Sequence, residues 1–133
     1  MLTSPHTKHS KSAGQNTPST AIPIHFVRNG PSYLPELDAY ADFLAARGLR
    51  SQTHDQGDTV PDDAQVVWWI CGRVPWPQAW RLRHAFQVHE YTSASVPPHA
   101  WLKDQVKHWT QPRPDYRIFQ NGWVRERMGF GHD

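Results

Sequence analysis

Cysteine occurs once in the 133 residues and methionine twice. A lone Cys71 inside an apolar run excludes a disulfide framework and a cysteine-based zinc site, and it suits a reducing compartment. Long hydrophobic stretches are also missing. The longest apolar run, Val66 to Cys71, falls far short of the about 20 residues that a membrane-spanning helix needs. Lys8 and Lys11 put positive charge near the N-terminus, but no apolar stretch follows before Ile22, so no secretory signal is expected. The expected location is the cytoplasm, with contact to the inner face of the membrane as the alternative. A mass of 15.3 kDa is that of one domain and excludes a complete two-lobed enzyme.

What is present divides the chain in two. Residues 1–21 are dominated by Ser, Thr, Lys, His, Gly, Asn and Pro and are expected to be a disordered leader. Residues 22–133 hold all seven Trp within a chain that is 38% hydrophobic, enough to build a core. The net charge of +2 is too small to argue for nucleic acid, but it is unevenly spread: +3 over Met1 to Leu34, −5 over Pro35 to Gln65 and +4 over Val66 to Asp133. The last, basic part is where an anionic ligand would be sought.

Periodicity predicts alternating strands and helices. Ile22 to Val27 reads as a strand ended by the turn Asn29-Gly30-Pro31. Pro35 starts a helix in which Leu37, Tyr40, Ala41 and Leu44 share a face, with Glu36 and Asp38 in the first turn and Gly48 as the stop. Leu49 to His54 is a weak second strand, followed by an acidic turn region from Asp55 to Asp63. Val66 to Cys71 lacks polar alternation and reads as a central parallel strand covered on both faces. Pro75 and Pro77 break the chain, and a short helix is expected over Gln78 to Ala85. Phe86 to Tyr91 is the next strand, Pro97-Pro98 opens a helix to about Trp109, Arg117 to Gln120 is the last strand, and Gly122 to Met128 a final helix. The expected fold class is α/β: a Rossmann-like, doubly wound, mostly parallel sheet. An irregular α+β domain is the alternative.

In such a sheet, ligands bind outside the carboxyl ends of the strands, where loops and helix N-termini expose N–H groups. That rule selects Asn29-Gly30, Gly72-Arg73, His89 to Ser93 and Asn121-Gly122. Gly30 and Gly72 would let backbone approach a phosphate or substrate closely, against an ordinary turn as the competing reading. His89-Glu90 reads as a pair in which the imidazole acts as base or hydrogen-bond donor and the carboxylate orients it. Its competing reading is a satisfied strand-end histidine beside an exposed glutamate. Lys103 and Lys107, four apart on a helix, repel mildly, and an anionic ligand would offset this. Trp76, Trp80 and Trp101 could form a sugar platform or lie at a membrane interface, although core packing is the commoner fate of Trp. GxGxxG and GxxxxGK[ST] are both absent, so no dinucleotide or ATP cofactor is expected. Neither is a metal: the His84–His89 and His99–His108 spacings do not suit shared ligation.

The stretch His89-Glu90-Tyr91-Thr92-Ser93-Ala94-Ser95 leads into Pro97-Pro98 and Trp101-Leu102-Lys103-Asp104 with Lys107. Pro114 to Phe119 and Asn121 follow. Together these resemble the N-terminal half of retaining GT-B glycosyltransferases of family 1 or family 4. The resemblance runs from about Ile24 to the chain end and is distinctive from His89 to Asn121. It implies a Rossmann-like lobe forming the acceptor side of a cleft, with the nucleotide sugar held mainly by a second lobe. Carried over, Asn29-Gly30 match the glycine loop near the reaction centre, His89-Glu90 the strand-end residues near the acceptor, and Lys103 and Lys107 the following helix. His89 is then the catalytic candidate. Asn29, Gly30, Gly72, Arg73, Glu90, Ser93, Lys103, Lys107 and Asn121 are the substrate-binding candidates. The donor lobe's Glu-x7-Glu element has no counterpart, since Leu44 and Pro98 stand eight after Glu36 and Glu90. The expectation is a truncated glycosyltransferase lobe for hexosyl transfer to a glycan or other hydroxyl acceptor, inactive unless a donor lobe supplies the nucleotide sugar. The alternative is a non-catalytic module that binds a partner or a membrane surface through its basic, Trp-rich half. Nucleic acid is not an expected partner.

Overall fold

β-branched and aromatic residues in an unbroken run favour a strand covered on both sides. Val66–Ile70 is accordingly the middle strand of five. The computed structural model describes residues 21–92 and 99–129; residues 1–20 of the expected leader, Ser93 and Pro97-Pro98 lie outside them. The elements in chain order are β1 (Ile24–Arg28), α1 (Pro35–Ala45), β2 (Ser51–His54), a 3-10 turn (Gly57–Thr59) and β3 (Val66–Ile70). There follow α2 (Trp76–Arg81), β4 (Phe86–Tyr91), α3 (Ala100–Thr110), β5 (Tyr116–Phe119) and α4 (Gly122–Met128). The sheet order is β2-β1-β3-β4-β5, and every neighbouring pair is parallel. This is the doubly wound α/β sheet that the alternation of elements implied.

Side chains alternate along a strand, and parallel partners in register share a face. Phe26 of β1 pairs with Trp68 of β3, and Val27 with Trp69. One face therefore carries Phe26 and Ile70, which α1 covers with Leu37, Leu44 and the half-buried Tyr40. The other carries Val27, Val67 and Trp69, which meet Val60 and Ala64 of the β2–β3 connection and Ala79 and Leu82 from α2 and its end. A smaller cluster joins Tyr91 and Phe119 to Val124 and Met128 of α4.

Two expectations need correction. Helix α2 starts at Trp76, two residues before the predicted start, because only Pro75 stays extended outside it. Pro77 sits in the first turn, where its missing N–H would have had no intrahelical partner anyway. The aromatic residues also depart from their usual fate. Trp76, Trp80, Trp101, Trp109 and Trp123 are exposed, and only Trp68 and Trp69, both in β3, contribute to the core. The short α2 and α4 bury Ala79, Val124 and Met128, and their own indoles, Trp76, Trp80 and Trp123, face outward.

Candidate functional site

After β1 the chain turns through α1 to the edge strand β2, and after β3 it turns through α2 to β4, on the other side. The carboxyl ends of β1 and β3 therefore flank a topological switch point, where a crevice opens. A cavity of about 220 Å³ lies there, lined by Asn29, Gln56, Gly57, Cys71, Arg73 and Gln78 among others.

Its walls are built by ties between the strand ends. Arg28 Nε donates to Asp55 Oδ1 at 2.7 Å, Arg28 Nη1 donates to Ser32 O at 2.7 Å, and Gly30 N–H donates to Asp55 O at 2.9 Å. These link the turn after β1 to the end of β2. Gly30 has φ of 75°, and nothing would crowd a Cβ there, so the turn's backbone conformation is what calls for glycine. Asp55 offsets the charge of Arg28, which leaves the exposed Arg73 as the cation of the cavity wall. Asn29, Gln56 and Gln78 add amide donors and acceptors. Burial pushes the Cys71 thiol up to about 12, so it is neutral and no nucleophile at ordinary pH.

Several residues that shape the cavity carried no signal in the sequence. Gly57 is one, since a Cβ there would stand 2.6 Å from the Trp69 ring. Its close approach lets Arg81 hold the loop: Nη2 donates to Gly57 O at 2.7 Å, Nη1 donates to Val60 O at 3.1 Å, and the same Nη1 meets Asp62. Gln111 fixes the turn after β3, donating to Gly72 O and accepting from Val74 N–H. A buried histidine pair reaches Gln56. His25 Nδ1 lies 3.0 Å from His54 Nε2, and His54 Nδ1 lies 2.9 Å from Thr59 Oγ1. Because the single Thr59 hydroxyl proton is donated to Gln56 O, Oγ1 must accept from His54 Nδ1–H. His54 Nε2 then accepts from His25 Nδ1–H, which sets both tautomers. The histidines were visible in the sequence; nothing there placed them side by side.

The structure places the sequence-selected residues unequally. Asn29, Gly30, Gly72 and Arg73 belong to the two turns at the switch point, and Asn29 and Arg73 line the cavity. His89 and Glu90 do not form a pair, because consecutive strand residues point to opposite faces. Glu90 is buried rather than exposed, and lies beneath α1. Tyr40 Oη donates to its Oε1 at 3.0 Å, and Trp68 Nε1 donates to its Oε2 at 2.8 Å. Burial raises its pKa. His89 faces the other side and is 1% exposed; its Nδ1 lies 3.4 Å from Tyr91 Oη, and its Nε2 has no partner among the described residues. Burial, with the Arg117 guanidinium adding to it, lowers its pKa to about 3. As placed, the imidazole is neutral and suited to hydrogen bonding rather than to holding a proton.

Asn121 is the N-cap of α4, its Oδ1 accepting from Val124 N–H at 2.9 Å, a role that accounts for it structurally. Lys103 is exposed in the first turn of α3. Ser93 and the Lys107 side chain lie outside what the structure describes. No helix among the described residues is long and apolar enough to cross a membrane. Comparison of the chain with protein-family models, curated proteins and solved structures finds no match.

Proposed function

We propose that this chain is the acceptor-side lobe of a GT-B-like glycosyltransferase, in which the cavity between the carboxyl ends of β1 and β3 receives a hydroxylated acceptor. The observation that carries the reading is the cavity itself. It sits at the switch point of a parallel sheet and is lined by side-chain amides and one unneutralised arginine, groups that orient hydroxyls without a metal or a strong base. The resemblance of the segment from His89 to Asn121 to these enzymes supports the same conclusion. Hexosyl transfer also requires stabilisation of an oxocarbenium-like centre and of the departing nucleotide diphosphate. The sequence has no Glu-x7-Glu pair for that part, so a donor lobe must provide it.

The test is acceptor binding by the purified chain, followed through amide shifts during titration with glycans and other polyols. Shifts centred on Asn29, Gln56 and Arg73, weakened at least tenfold by Arg73→Ala, are expected, with no turnover of nucleotide sugars by the chain alone. Rapid transfer by the isolated chain, or binding that Arg73→Ala leaves untouched, would overturn the proposal.

A second reading is favoured by α3. Trp101, Leu102, Val106 and Trp109 are 65%, 54%, 47% and 81% exposed, a run of apolar residues that a solvated helix has no need to keep. A non-catalytic module would use this helix and its lysines against a partner or membrane. Replacing Arg73, Lys103 and Lys107 by Ala would then abolish capture, while His89→Ala would leave it intact.

A further inference from the structure

A groove of about 280 Å³ runs between α2 and the segment that enters β5. Its floor is formed by Ala79 and Gln87, both buried. One wall is Trp76 and Trp80, and the other is Pro112, Arg113 and Asp115. Four residues apart on one helix, the two tryptophans share a face with Cβ atoms about 5–6 Å apart. They are 51% and 61% exposed, although burial would be the favourable place for rings of this size.

Both walls are held in position without a ligand. The Arg83 guanidinium carbon lies 4.8 Å from the Trp80 ring centroid, and Arg83 Nη1 donates to Trp80 O at 3.0 Å. One guanidinium thus stacks on the indole and anchors to the same residue's backbone. Asp115 is fixed from two sides: Gln87 N–H donates to its Oδ2 at 2.8 Å, and its own N–H donates to Gln87 O at 2.9 Å. Its second carboxylate oxygen makes no hydrogen bond among the described residues.

The geometry points to this groove as a carbohydrate-binding surface, in which a neutral pyranose lays its C–H face on the Trp76–Trp80 stripe and gives hydroxyl protons to Asp115. The chemistry of the walls, two indoles beside one carboxylate and two arginines, suits a ligand with both an apolar face and hydroxyl groups. A proline-rich segment offers acceptors but few N–H donors, so it would make no hydrogen bond to the exposed carboxylate and gain nothing from it. A phosphate backbone would meet that carboxylate as a like charge, while Arg83 and Arg113 on the same walls would attract it, so oligo-dT is the rival occupant that the titration must exclude. A pyranose presents both an apolar face and donors, which is what two indoles and a fixed carboxylate require. The inference is independent of the acceptor reading above, because the cavity at the switch point and this groove share no lining residue.

The experiment titrates the full chain with maltotriose, cellotriose and chitotriose, reading tryptophan fluorescence and amide shifts, with a decaproline peptide and oligo-dT as competing probes. At least one trisaccharide is expected to saturate at millimolar concentration. Trp80→Ala, at an exposed position, should weaken binding about tenfold. Asp115→Asn should weaken it too, since the amide oxygen still accepts from Gln87 N–H but the charge is gone. Arg73→Ala should leave the saturating shifts of Trp80 and Asp115 unchanged, whatever it does to those of Asn29 and Gln56. The inference is overturned if no trisaccharide saturates, if decaproline or oligo-dT binds in preference, or if Trp80→Ala leaves affinity as it was. Binding lost through Arg73→Ala and kept in Trp80→Ala would assign the sugar to the switch-point cavity alone, which also overturns it.

Discussion

Lowering the pH from 7 to 5 is expected to cost the folded state about 2 kcal/mol through His89 alone. In the unfolded chain the imidazole titrates near 6.5, whereas burial beside Arg117 holds it at about 3 in the fold. Between these values the unfolded state binds the proton and the folded state does not. Stability is therefore fully present above 6.5 and is lost as the pH falls towards 3, at about 1.36 kcal/mol per unit. The pH range from 6.5 to 5 gives the figure. His25 and His54 are also lowered by burial, so they act in the same direction. Glu90 acts oppositely: its pKa is raised, the folded state takes up its proton first, and acid stabilises the fold through that group. Comparing the protein with His89→Gln cancels these other contributions. Urea unfolding read by tryptophan fluorescence at pH 7, 6 and 5 should show the parent losing stability more steeply than the variant, by about 2 kcal/mol over the range. Parallel profiles would show that His89 is not held neutral by its surroundings.

The remaining predictions concern groups that shape the two faces of the sheet. Gly57→Ala should cost about 1–3 kcal/mol, because its Cβ would press on the Trp69 ring 2.6 Å away, and a thermal midpoint equal to the parent's would refute the close approach. Arg81→Ala removes donors to Gly57 O and Val60 O; it should cost about 2 kcal/mol and speed amide exchange selectively between Asp55 and Asp63. Glu90→Leu leaves the Tyr40 hydroxyl and the Trp68 indole N–H without their acceptor, an expected loss of about 1–3 kcal/mol that urea titration at pH 7 would register. Asn121→Ala deletes the cap of α4 at about 1 kcal/mol, and Asn121→Asp should restore it; an Asp variant no better than Ala would argue against capping.

The order of elements, the parallel class of the sheet and its centre were all legible in the residues themselves. The unbroken apolar run from Val66 to Cys71 read as a strand covered on both sides, and Pro35 with Leu37, Tyr40 and Leu44 marked α1, because period and the proline start are local properties. The strand-end rule also led from sequence to Asn29 and Arg73, which line the cavity at the switch point. Tertiary structure decided which side chains meet. Adjacency in sequence made His89 and Glu90 look like partners, but the pleat sends one under α1 to Tyr40 and Trp68 and the other to the opposite side near Arg117. His25 and His54, separated by 29 positions, became a hydrogen-bonded pair only when β2 settled beside β1. Likewise, Trp76, Trp80 and Trp123 stayed outside because the short α2 and α4 turn Ala79, Val124 and Met128 inward instead, which no hydropathy pattern foretells. Local sequence dictates backbone conformation through short-range sterics and periodic burial, whereas contacts between faces depend on strand register, which the whole sheet sets at once.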